Sequence, residues 1–191
     1  GLLRRRDGRH PMSAAIEDLR HEHEAILSAL QILAKMAAGS DGEGQTAQED
    51  RLSFIGFLRE FADKCHHGKE EGFLFPALAA AGMPEAEGLV EELLAEHLQG
   101  RKLIQEMEAG VTVAAKAAGF ARAAAEYAGL LTTHIGKEND RLFPLAERRL
   151  SKSELERLYG AFEEHEETVI GQGRHEQLHG MLEALERKYA A

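Results

Sequence analysis

Two short segments of this chain carry the same chemistry. His66-His67-Gly68-Lys69-Glu70-Glu71-Gly72-Phe73-Leu74-Phe75-Pro76 returns as His134-Ile135-Gly136-Lys137-Glu138-Asn139-Asp140-Arg141-Leu142-Phe143-Pro144, with seven of the eleven positions identical. The shared residues include a His and a Glu four apart. On a helix, positions i and i+4 lie on one face, one turn above the other, so each copy presents an imidazole beside a carboxylate. That pair is half of a transition-metal site, and two halves imply one shared centre. The duplication extends upstream: Glu22-His23 precedes the first copy and Glu96-His97 the second. The repeating unit is thus a helix with one inward His, followed by a helix with inward His-x-x-x-Glu and a proline beyond.

Those residues need elements to hold them, and the chain supplies helices. Val/Ile/Thr alternation is almost absent, while Ala, Leu, Glu, Lys and Arg fill long amphipathic runs. The patterning predicts a first helix from about Ser13 to Ala38, with Ile16, Leu19, His23, Ile26 and Leu30 on one stripe, and a break at Gly39–Gly44. A second is expected from about Glu49 to Phe75, a third from Glu85 to Ala109 and a fourth from near Val111 to Phe143 or beyond. Pro84 suits the first turn of the third helix. Pro76 and Pro144 each remove a backbone donor, so the second and fourth helices should end or kink there. Ser151 with Glu154 reads as a capping box opening a fifth helix, and Gly171-Gln172-Gly173 separates it from a sixth. The fold class is therefore all-α: an up-down-up-down four-helix bundle over residues 13–150, a C-terminal helical extension over 151–191 packed on it, and a flexible N-terminal lead over 1–12 that includes Arg4-Arg5-Arg6 and His10.

Pseudo-two-fold packing of the two units brings His23, His66, His97 and His134 together with Glu70 and Glu138 in the bundle core. Burying six such groups without partners is very costly, several kcal/mol for each ionised carboxylate, and a metal removes that cost. Imidazoles and carboxylates without thiolate suit iron, manganese or zinc, and two carboxylates suit bridging a metal pair. Neighbouring candidates take plainer roles. His67 aligns with Ile135 and is read as packing, Glu71 aligns with Asn139 and is read as lying behind the site or on the surface, and His21 should be solvated. Cys65 points away from the ligand face as a small buried residue. His175 and His179 are read as exposed, and His165 as a core-edge histidine, with capping of an open metal position by it or Glu164 as the alternative.

Composition narrows the partners. Acidic residues outnumber basic ones 33 to 23 in 191 residues, a formal charge of −10, which argues against nucleic acid, whose phosphates need clustered Lys and Arg. No apolar stretch approaches a membrane span. A single Cys allows no internal disulfide, so a reducing cytoplasm is the expected compartment. Oligomeric state is not legible.

The set Glu22-His23, His66…Glu70…Leu74-Phe75-Pro76, Glu96-His97 and His134…Glu138…Leu142-Phe143-Pro144 resembles the hemerythrin-like (HHE cation-binding) family, over about Ile16 to Leu150. The resemblance implies a non-haem di-iron centre with an oxo or hydroxo bridge, zinc or manganese as substitutes, and affinity for dioxygen, nitric oxide or peroxide. Oxygen-carrying members place another His four residues after the one on the third helix; here that residue is Arg101. Four histidines put the chain nearer the His4Glu2 branch, similar to nitric-oxide-handling, iron–sulfur-repair and iron-sensing proteins, so reversible oxygen transport is not implied. The expected function is binding of metal and of a small diatomic or oxidant for sensing or detoxification. Iron storage or donation to damaged clusters is an alternative, as is a peroxide- or nitric-oxide-consuming enzyme.

Overall fold

A computed structural model describes residues 13–190, and the N-terminal lead expected over 1–12 lies outside them. Six helical runs make up the fold, with no strand among the described residues. Helix α1 spans Ala14–Ala37, its first turn capped by Ser13, whose Oγ accepts from Ile16 N at 3.2 Å. Helix α2 is one continuous run over residues 45–80, α3 spans Pro84–Thr112, and α4 runs over residues 119–149. Helix α5 covers residues 152–170 and α6 spans Arg174–Tyr189. The capping box at the start of α5 is formed: Glu154 N donates to Ser151 Oγ (3.1 Å) and Ser151 N to Glu154 Oε2 (2.7 Å).

Helix α1 packs on α2 and α4, and α3 packs on the same two, which closes a four-helix bundle. Helix α5 lies on α1, and α6 on α1 and α2. The apolar core is in two parts. One end is filled by Ile26, Leu33, Phe54, Phe57, Phe61, Met107, Phe120 and Tyr127, closed by Leu178 and Leu182 of α6. The other holds Ile16, Leu19, Leu74, Leu93, Leu142 and Phe143, closed by Leu158 and Phe162 of α5. Between them sits a buried polar layer of Glu22, His23, His66, His67, Lys69, Glu70, His97, His134 and Glu138. No described helix is long and apolar enough to cross a membrane.

Of the two outcomes expected at the prolines, an end or a kink, the end is overturned. Helix α2 does not end near Pro76, nor α4 near Pro144; each continues as α-helix, through Phe75–Ala80 and Phe143–Arg149. The turn before each proline is π-helical instead, Glu70–Leu74 and Glu138–Leu142, with Phe75 N bonded to Glu70 O and Phe143 N to Glu138 O. Widening the turn by one residue moves the carbonyl that the proline ring would strike, so the helix absorbs the ring as a π-bulge. A longer π stretch, Leu58–His67, leads into the first motif and includes His66.

Two boundaries also differ. Helix α2 begins at Gln45 rather than Glu49. Helix α4 begins at Gly119 rather than near Val111, because Val113 turns extended and Ala114–Lys116 forms a 3-10 turn. Alanine-rich composition favours helix there, but the chain must reverse to pack α4 on α3. Gly110 permits that reversal: a Cβ on it would lie 2.7 Å from Phe120 N, where only hydrogen fits.

Candidate metal centre

The six predicted donors meet in the polar layer, none more than 1% exposed. Each helix contributes on one face: His23 from α1, His66 and Glu70 from α2, His97 from α3, His134 and Glu138 from α4. The two carboxylates are shared across the repeat. Glu70 Oε1 lies 3.2 Å from His66 Nε2 while its Oε2 lies 3.2 Å from His97 Nε2. Glu138 Oε2 lies 2.9 Å from His23 Nε2 while its Oε1 lies 3.1 Å from His134 Nε2. His97 Nε2 and His134 Nε2 are 3.2 Å apart, and the His23 and His66 ring centroids 4.6 Å apart. Among the described residues two groups built on these donors could each hold an ion, His23, His66, Glu70 and Glu138, and His67, Glu70, His97 and His134; a third group, Glu22, Glu166 and His175, contains none of the six.

The donor geometry fits a metal. His66 Nε2, both oxygens of Glu70 and Glu138 Oε1 are buried without a hydrogen-bond partner among the described residues, although other donors lie near 3 Å. Atoms this close that do not aim at one another converge on common points. Buried unpartnered groups of this kind cost free energy unless a cation satisfies them.

Behind the donors, the repeat recurs as a support layer of which sequence reasoning assigned only Glu71. Glu22 Oε1 accepts from His66 Nδ1 at 3.1 Å, and Glu96 Oε2 from His134 Nδ1 at 2.7 Å. Lys69 Nζ donates to Glu22 Oε2 (2.9 Å) and Asp18 Oδ2 (2.9 Å); Lys137 Nζ pairs with Glu96 and Glu92. Asn139 Oδ1 accepts from His23 Nδ1 at 2.8 Å, while its counterpart Glu71 sits 3.5 Å from His97 Nδ1. A carboxylate or amide oxygen on Nδ1 fixes the tautomer and turns the Nε2 lone pair inward. The signal was available: Glu22/Glu96, Lys69/Lys137 and Glu71/Asn139 hold equivalent places in the two copies.

Charge in the layer is balanced tightly. Burial opposes the imidazolium of His66, but Glu70 and Glu22 outweigh it and hold that ring up to about 10; His97, likewise buried, is held up to about 9 by Glu70 and Glu71. Burial would raise Glu22, yet His66 and Lys69 bring it down to about 2. Without metal, therefore, protons on imidazoles supply the positive charge that the carboxylates demand.

Other residues match the sequence reading in part. His67 packs as expected, 3% exposed with its ring stacked on His97 at 3.9 Å, and it also belongs to the second donor group. Burial and the neighbouring His97 push it down to about 3. Arg101 turns to Asp63 (2.9 Å) and Glu71 (2.5 Å). His165 does not cap the centre; its Nε2 donates to the Lys64 carbonyl at 2.9 Å, and Gly68 makes room, since a Cβ there would lie 2.6 Å from that nitrogen. His175 and His179 are half-buried against Phe61 rather than exposed, with His175 Nε2 2.9 Å from Glu166 Oε1. Cys65 is buried beside Glu22, and burial pushes its thiol up; His21 is solvated.

Among known protein families, the model of the hemerythrin HHE cation binding domain matches residues 14–146, which takes in α1 to α3 and nearly all of α4 and leaves α5 and α6 outside. No curated protein matches the chain.

Proposed function

This chain belongs to the hemerythrin HHE cation-binding family, and from that premise we propose that its bundle holds a pair of iron ions where dioxygen, nitric oxide or peroxide binds, for sensing or detoxification. His23 and His66 would hold one ion, His97 and His134 the other, with Glu70 and Glu138 bridging. The observation that carries this reading is the division of each carboxylate between the two histidine pairs. A carboxylate facing two imidazole pairs with its two oxygens is placed to join two cations rather than to neutralise one.

Iron bound there supplies a redox-active centre that takes up small oxidants, and manganese or zinc fits the same donors. The chain's own residues do the rest. Glu22, Glu96 and Asn139 hold the imidazoles with Nε2 inward. Phe143 stacks on His23 at 5.1 Å and Phe75 on His97 at 5.9 Å, and the apolar layers at both ends keep water out and strengthen electrostatics inside. Donors buried to within 1% of full enclosure leave no room for large substrates.

The test is metal analysis and absorption spectroscopy on protein purified with iron present. About two irons per chain, a near-ultraviolet carboxylate-to-iron band and new visible absorption on adding nitric oxide to the reduced protein are expected. A colourless protein that takes up no added iron overturns the proposal.

A further inference from the structure

The two halves of the centre are not equal. At three equivalent positions of the repeat, a polar residue in one copy stands where the other copy has an apolar one. His67 corresponds to Ile135, Asp63 to Leu131, and Arg101, four residues after His97, to Leu27, four after His23. Ile135 and Leu131 are each 2% exposed, so hydrocarbon fills these places well. A buried imidazole backed by a carboxylate and a guanidinium, where hydrocarbon fills the equivalent places, needs a reason beyond packing.

Their contacts form a chain that ends at the centre. Arg101 Nε donates to both oxygens of Asp63, at 2.9 and 3.0 Å. Asp63 Oδ1 accepts from His67 Nδ1 at 3.4 Å. That places the remaining lone pair on His67 Nε2, which is buried and has no hydrogen-bond partner among the described residues. The ring lies nearly parallel to His97, 18° between planes, and the donor atoms of His67, Glu70, His97 and His134 all fall within 4.8 Å of one another. A carboxylate on Nδ1 and a buried, unpartnered Nε2 within a cluster of other donors is the arrangement of a metal-ligating histidine.

We propose that His67 is a fifth imidazole ligand, bound through Nε2 to the ion held by His97 and His134, so that one metal position carries three histidines and the other two. The inference rests on the metal-pair reading above. It assigns Arg101 and Asp63 as positioning residues that orient the ring.

The test loads the full chain, labelled with 15N-histidine, with 113Cd(II) alone. Two cadmium ions per chain and 15N–113Cd coupling at five Nε2 atoms, His67 included, are expected. His67→Ile, which copies the residue of the second repeat and keeps the packing volume, should lose that one coupling, still bind two ions and weaken one binding step by about tenfold or more. Two bound ions with His67 Nε2 uncoupled in the unsubstituted protein overturn this inference and leave the metal pair standing. A protein that binds no cadmium and no iron overturns the metal-pair reading itself.

Discussion

Glu22 and Glu96 occupy equivalent places in the repeat and support equivalent histidines, but their surroundings differ, and that difference separates two effects of removing them. Glu22 is 4% exposed and faces Lys69, which is fully buried. Glu22→Ala therefore leaves an ammonium inside the protein with Asp18, at 2.9 Å, and the more distant Glu166, at 3.8 Å, as its remaining partners. Breaking a buried pair in this way costs 3–5 kcal/mol; because Asp18 stays, we expect about 3 kcal/mol, a fall in Tm of about 6–12 °C for a chain of this length. Glu96→Ala leaves Lys137 near the surface with Glu92 still beside it, so the cost is about 1 kcal/mol, or about 2–4 °C. Both variants lose the acceptor on a donor histidine's Nδ1, so both should lose about 10–100-fold in metal affinity. Thermal unfolding of the metal-free protein and competition titration of metal read the two effects separately. Adding Lys69→Met to Glu22→Ala should recover most of the stability and none of the affinity. Equal melting temperatures for the two single variants, or unchanged affinity in both, would refute the reasoning.

The pH dependence should change with metal. Without it, His66 and His97 are held up to about 10 and about 9, so the stability they contribute is complete below about pH 6.5 and is lost as pH rises to 9–10. The urea midpoint should fall over that range, and apparent metal affinity should rise over it as the protons leave; a metal-free protein equally stable at pH 6.5 and 10 contradicts this. At the acid end Glu22, Asp63 and Glu71, each held at about 2, contribute stability that is present above about pH 4.5 and lost as pH falls towards 2, which acid titration of the circular dichroism signal checks. Glu70→Gln or Glu138→Gln should drop occupancy below two and abolish magnetic coupling between the ions, whereas Glu71→Gln keeps both; coupling that survives in both bridge variants shows that another group bridges. Gly136→Ala has open space and should raise Tm by about 2–4 °C, from about 1 kcal/mol of helix propensity. Gly68→Ala should give no such gain, because its Cβ displaces His165 from the Lys64 carbonyl. Equal gains at both glycines would show that α5 does not dock there.

The helices and the inward faces of the bundle were legible because both are local properties. Amphipathic periodicity sets which face is buried, and the i, i+4 spacing of His66 with Glu70 and of His134 with Glu138 sets each carboxylate beside its own imidazole. Duplication then implied that the halves meet. What periodicity does not encode is which residue of one helix reaches which residue of another. The pairing of Glu70 with His97 and of Glu138 with His23, the Glu22 and Glu96 supports and the burial of Lys69 all join residues far apart in the chain. The π-turns that carry Pro76 and Pro144 depend on how the whole helix is held, so proline chemistry alone did not choose between an ended helix and a distorted one. At His67, comparison with Ile135 shows only that the position tolerates hydrocarbon. What surrounds an imidazole there is set by tertiary contacts: Asp63, one turn earlier on its own helix, accepts from it, and Arg101 pairs with Asp63 from the helix alongside.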